Sequence, residues 1–182
     1  TRGAEPLAEG GYAAAVLLDG AAMLSRESLG ALEDSLHAWE GAISLLRPTA
    51  TAYLADVTGL PALAVTSGRY EQLLRHELVE RQNLKLPPAI RIASISGPAS
   101  LVSKAREALE ATGAISDVLG PVETGSGVVR IIIRFSYAQG STVTSELRAL
   151  RNKLAVGSAK GRPERLHIVV DDSDRLDSML ND

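Results

Sequence analysis

The run Val128-Val129-Arg130-Ile131-Ile132-Ile133-Arg134-Phe135 constrains this chain more than any other segment. Its β-branched side chains are stiff and crowd a helix but pack well on a pleated surface, so it reads as a strand. Period-two alternation puts Val129, Ile131, Ile133 and Phe135 on one face and Arg130, Ile132 and Arg134 on the other. One face is core and the other basic. The segments around it supply its neighbours: Ile90 to Ile95 as strand, Pro98 to Thr112 as helix stopped by Gly113, and Ile115 to Val122 as strand. Glycines 125 and 127 mark a turn, Ser141 to Val156 carries Val143, Leu147, Leu150 and Leu154 on one helical face, and Leu166 to Val170 is a final strand. The order β-α-β-β-α-β is the split-βαβ or ferredoxin-like α+β arrangement, with the first and third strands side by side at the centre of an antiparallel sheet.

The first half reads as α/β. Tyr12 to Leu18 is a short apolar strand ending at Asp19, and Leu29, Leu32, Leu36, Trp39 and Ile43 then recur at helical spacing. Pro48 stops that helix, Thr51 to Val57 resembles a second strand, and a short helical stretch follows near Pro61 to Thr66. Tyr70, Leu73, Leu74 and Leu78 line a further helix that closes at Pro87-Pro88, because the residue before a proline is disfavoured in the α region. Two domains follow, a strand-helix-strand-helix segment over 1–84 and the βαββαβ domain over 85–182.

The 182 residues, 45% hydrophobic, can bury one ordinary core or two small ones. No run of apolar residues is long enough to span a bilayer and no signal-peptide pattern opens the chain, which predicts a cytoplasmic protein with no membrane partner. Opening on Thr-Arg-Gly without Met, the chain reads as a piece of a longer one. The net charge of -3 conceals an asymmetry: residues 1–84 hold 6 basic and 11 acidic side chains, a balance of -5, and residues 85–182 hold 13 and 11, a balance of +2. Between residues 148 and 165, Arg148, Arg151, Lys153, Lys160, Arg162 and Arg165 face one acid, Glu164. Such a bias suits phosphate, and equally suits a solvated helix end.

Catalytic constellations are missing. Without cysteine there is no thiolate metal site, and His37, His76 and His167 are scattered over different elements with no nucleophile beside them, so neither metal nor catalytic residue is implied. Gly120, Gly125 and Gly127 with Ser126 lack the lysine and helix of a phosphate loop and read as a hairpin turn. Asp171-Asp172-Ser173-Asp174 misses the calcium-loop spacing and reads as a solvated acidic tail. Phe135 and Tyr137 are the only aromatics near the third strand, too few for base stacking of the RRM kind. Arg130 and Arg134, with Arg91 if it shares their face, would form a guanidinium cluster for phosphate; the alternative is cross-strand pairing with Asp117 or Glu123.

The segment Glu77-Leu78-Val79-Glu80-Arg81-Gln82-Asn83-Leu84-Lys85-Leu86-Pro87-Pro88 resembles the E-L-x-x-R-x-x-x-x-x-P-P junction between the second helicase lobe and the C-terminal domain of the primosomal protein N′ family, the bacterial replication restart helicases. Val118-Leu119-Gly120-Pro121-Val122, the strand Val129 to Arg134 and Leu166-His167-Ile168-Val169-Val170-Asp171 resemble later stretches of that family, and Val16-Leu17-Leu18-Asp19 with Arg26 and Glu33 resemble elements of its second lobe. The resemblance implies a parent that is an ATP-dependent 3′–5′ DNA helicase with zinc-binding cysteines upstream, acting at stalled forks during primosome assembly. It implies as partners branched or forked DNA, single-stranded DNA-binding protein and other primosome proteins. Where the family places the arginines that reach ATP, this chain reads Trp39-Glu40-Gly41-Ala42-Ile43-Ser44-Leu45-Leu46-Arg47-Pro48. The helicase motif region, represented by Asp19 and Arg47, is therefore expected to be degenerate.

The expectation is a non-enzymatic DNA-binding and protein-docking portion of a replication restart protein, without cofactor of its own. Arg91, Arg130, Arg134, Arg148, Arg151, Lys153, Lys160, Arg162 and Arg165 are the candidate DNA contacts. Two alternatives stand: a module for the acidic tail of single-stranded DNA-binding protein, and part of an active helicase in the full-length parent.

Overall fold

A computed structural model describes residues 5–125, 127–156 and 165–180. The chain divides into two compact units, residues 1–77 and 78–182, which together hold two β-sheets and, among the described residues, seven α-helices.

In the first unit β1 (Tyr12–Leu17) and β2 (Leu46–Leu54) pair in parallel. Their register jumps between Tyr12↔Leu46 and Ala14↔Thr51, and Pro48 lies in that break, where a residue without an N–H costs the ladder nothing. Pro48 thus sits inside a strand; helix α2 (Ala31–Ser44) has already ended. The loop expected after Asp19 holds a five-residue helix, α1 (Gly20–Leu24). Helix α3 (Gly59–Ser67) and the start of α4 (Tyr70–Leu84) complete the unit. Met23, Leu36, Trp39, Ala64 and Leu73 form its core, so the three- and four-residue spacing of leucines and Trp39 did mark the buried stripe of α2.

The second unit contains β3 (Arg91–Pro98), α5 (Ala99–Ala111), β4 (Asp117–Gly125), β5 (Val128–Phe135), α6 (Gly140–Val156), β6 (His167–Val170) and α7 (Ser173–Leu180). The sheet order is β4-β5-β3-β6, every pair antiparallel, with β3 and β5 central. The first and third strands of the unit are adjacent, as the element order implies. Helices α5 and α6 cover one face, burying Val102, Ala105, Leu109, Val143 and Leu147 against Ala93, Ile95, Ile131, Ile133 and Phe135. Each fully buried Val, Leu, Ile or Phe among them contributes about 1.5–3 kcal/mol, which makes this face a main source of the unit's stability.

The other face is buried as well. Ile92, Ser94, Ser96 and Ile132 have almost no exposed surface, α7 packs against β3, and Leu176 of α7 is fully buried. The acidic stretch after β6 is therefore not a solvated tail. Its first residue, Asp171, turns the chain with φ +57, and Ser173–Leu180 returns as a helix over the sheet.

The Glu77-to-Pro88 junction is a helix stop. Lys85 sits at φ +53, its N–H donates to Gln82 O, and the N–H of Leu86 reaches back to Arg81 O at 2.8 Å, the paired bonds of a Schellman cap. Arg81 is buried and donates Nη1 to Pro87 O, tying the proline pair back onto α4. Glycine is the residue that occupies the left-handed cap without Cβ strain, so Lys85→Gly is expected to raise stability by about 0.5–1 kcal/mol and Lys85→Val to lower it, read as opposite shifts of the urea midpoint.

Candidate nucleic-acid interface

The structure sorts the nine candidate cations into three groups. Lys160 and Arg162 lie outside the described residues. Arg91, Arg130 and Arg134 are engaged within the domain. Arg148, Arg151, Lys153 and Arg165 are exposed, and no ion pair joins any of them to another described residue.

Arg91 does not share a face with Arg130 and Arg134. It stands directly opposite Phe135, whereas Arg134 is opposite Ile92 and Arg130 opposite Ser96, and directly opposed residues project to the same side. The guanidinium of Arg91 lies 5.5 Å from the centre of the Phe135 ring and pairs with Asp171, Nη2 to Oδ2 at 2.5 Å. Asp171 thereby holds the Arg91 proton above its ordinary range, an effect led by the side-chain hydrogen bond. A Cβ at Gly140, at the start of α6, would meet Arg91 Nη1 at 2.6 Å, so a side chain there would require the guanidinium to shift.

Arg134 is a structural tie. Its side chain is 13% exposed, Nη2 donates to Asp117 Oδ2 at 2.6 Å, and Nη1 points at the carbonyls of Leu84 and Lys85 where α4 ends. The pairing with Asp117, weighed as the alternative to phosphate binding, is the one formed. The backbone N–H of Val118 and then Arg134 hold the Asp117 carboxyl below the usual carboxylate range. Arg130, half-buried, donates Nη1 to Ser178 Oγ of α7 at 3.1 Å. A solvent-facing triad of arginines on the sheet is thus replaced by three separate internal contacts. Cross-strand register and the cover by α7 decide this, and neither is readable from alternation within one strand.

The exposed cations centre on α6. Thr144, Leu147, Arg148 and Arg151, at i, i+3, i+4 and i+7, form one stripe, and with Ile168 and Val170 of β6 they line a groove of about 270 Å³. Its floor is apolar, Leu147 and the two β6 side chains, and two guanidinium groups flank it. The α6 stripe could have been found from spacing alone; that β6 supplies the other wall could not. Lys153 lies further along α6 and Arg165 just before β6.

In the first unit Asp19 follows the C-terminal end of β1, while Arg47 lies beside the N-terminal end, next to the Tyr12↔Leu46 pair. The two residues therefore sit at opposite ends of the small sheet and make no joint site. His37, His76 and His167 are exposed, and no group of three or more His, Asp or Glu side chains able to hold a metal gathers among the described residues. No described helix is long and apolar enough to cross a membrane.

A four-stranded α+β domain whose helix α6 carries exposed cations, following a junction helix that stops just before a proline pair, defines a class that comparison identifies. Residues 82–173 match the family described as the primosomal protein N C-terminal domain, and the chain belongs to that family. It is 34% identical to proteins named "Probable replication restart protein PriA" from Mycobacterium tuberculosis and Mycobacterium bovis, over 81% of this chain and 26% of theirs. A protein of the same name from Mycobacterium leprae is 30% identical over 81% of this chain and 25% of its own. The chain spans about a quarter of the length of these relatives.

Proposed function

We propose that this chain is a non-enzymatic, DNA-binding and protein-docking part of a replication restart protein acting in the cytoplasm at branched DNA. The observation that carries the reading is the set of exposed cations that have no acid partner among the described residues, Arg148, Arg151 and Lys153 on α6 with Arg165 beside β6. Guanidinium and ammonium groups exposed to solvent attract phosphates irrespective of sequence, and binding through them weakens steeply with salt. The family and the named relatives supply the restart context. Residues 1–84 act here as a remnant of a helicase lobe; ATP turnover, and the zinc expected upstream, belong to other segments of the whole protein.

Anisotropy titration of a fluorescent forked duplex at low salt tests this. Arg148→Glu with Arg151→Glu is expected to weaken binding at least about tenfold and flatten the dependence on salt. A duplex that does not bind, or binds the double variant equally, overturns the assignment.

The groove favours a second, compatible reading. An apolar floor between two arginines suits a short acidic peptide that also carries an apolar side chain, and the acidic tail of single-stranded DNA-binding protein is the candidate. Titration with such a peptide and with its all-acidic counterpart separates the two, because a phosphate-tracking surface does not prefer the hydrophobic one.

A further inference from the structure

The two faces of the second sheet are built of different material. Beneath α5 and α6 the packing is aliphatic and aromatic. Beneath α7 it is Ile92 and Ile132 interleaved with Ser94, Ser96, Arg130 and Arg134. Ser94 is 2% exposed and its Oγ has no hydrogen-bond partner, and the Nε atoms of Arg130 and Arg134 are likewise buried and unpartnered. A closed state that leaves polar atoms unsatisfied pays their desolvation without return. Arg134 has its own ties at the edge of this face, whereas the Ser94 hydroxyl is unsatisfied and Arg130 is tied to Ser178 of α7.

The cover is slight. Helix α7 has eight residues, too few to persist as a helix once undocked, and among its described side chains only Leu176 is fully buried. Ser178 Oγ supplies its bond to Arg130. The turn leading into it is fastened separately, by Asp171 N–H to Ile92 O and by Asp171 to Arg91, so α7 can leave while the end of β6 stays in place.

We propose that α7 is a displaceable cover and that the sheet face beneath it binds the phosphodiester backbone of a nucleic-acid strand through Arg130 and the Ser94 and Ser96 hydroxyls. Displacement frees Arg130 from Ser178 and presents one guanidinium with two hydroxyls, all donors to a phosphate oxygen. No aromatic residue is among those the register puts on this face in β3 and β5, so bases are not stacked and the contact is independent of sequence. The inference rests on the reading of the chain as a DNA-binding module but uses a different surface from α6.

The test compares the full chain with Leu176→Asp, which undocks α7, and separately with Ser178→Pro, which breaks its helix without adding charge. Hydrogen exchange should show loss of protection in α7 with β3 and β5 still protected. Affinity for a fluorescent oligothymidylate is expected to rise about tenfold, the scale of one charge-assisted bond, with a steeper salt dependence. Adding Arg130→Ala should abolish the gain. Unchanged affinity with α7 released, or a gain that survives Arg130→Ala, overturns the proposal. Should Leu176→Asp unfold the sheet, Ser178→Pro decides. An Arg130-dependent gain alongside indifference to Arg148→Glu with Arg151→Glu would sink only the α6 reading; the converse would sink only this one.

Discussion

Arg134→Ala is expected to lower the stability of the second unit by about 2–3 kcal/mol while leaving the DNA affinity of the folded protein unchanged. The guanidinium joins three groups: Asp117 Oδ2 at 2.6 Å and the carbonyls of Leu84 and Lys85 at 3.4 and 3.2 Å. Those carbonyls belong to the last turn and cap of α4, where a positive charge also meets the negative end of the helix dipole. Deleting the side chain removes a donor from all three acceptors. The loss stays below that of a fully buried pair because Asp117 is 43% exposed and water can reach it. Arg134→Lys should recover less than half, since a single ammonium cannot reproduce the planar fork that spans carboxylate and carbonyls. The sign of the pH effect follows from Asp117, whose folded-state pKa is depressed by the Val118 N–H and then by Arg134. Its contribution is complete above the ordinary carboxylate range and is lost as the solution is acidified through its lower folded-state value. Urea titrations of the parent and Arg134→Ala should therefore converge toward acid pH. A gap that is constant with pH would mean that the carbonyl contacts, not the carboxylate, hold Arg134.

Arg134 also marks where sequence reasoning stopped. The alternation of Val128 to Phe135 was sufficient to place a central strand, and the flanking helix and turn signals to place five of its neighbours within a few residues, because each depends on periodicity and turn chemistry inside one short window. What Arg134 touches lies 17 positions away in Asp117 and about 50 away in Leu84 and Lys85, and no local pattern carries that information. Arg91 failed to join its expected cluster for the same reason, since the face it occupies is set by cross-strand register. Helix α7 was hidden differently. Eight residues with Asp174 and Asp177 among them give two turns of apolar spacing, too little to stand out from an acidic tail, and its partner is a sheet face that reads as solvated because it carries arginines. On α6, by contrast, Arg148, Arg151 and Lys153 needed only local sequence to be found, and they are exposed.

Phe135→Ala is expected to have the largest effect, a loss of about 3–5 kcal/mol in the second unit. The ring is fully buried at the end of β5, among the side chains with which α5 and α6 cover the sheet, so its removal leaves a cavity that a strand paired on both edges cannot close by collapsing. The ring has a second role, because the Arg91 guanidinium rests 5.5 Å from its centre. Phe135→Leu separates the two contributions: most of the volume is kept while the π face is lost, which predicts a loss of about 1–2 kcal/mol. If the ring matters to Arg91, the leucine variant should also weaken the Arg91–Asp171 pair at 2.5 Å, and Asp171→Asn should then cost less in Phe135→Leu than in the parent. The double-mutant cycle, measured by urea denaturation, reads this coupling directly. Additive losses would show that Phe135 serves the core alone and that Arg91 is seated by Asp171 and the bare backbone of Gly140, with no help from the ring.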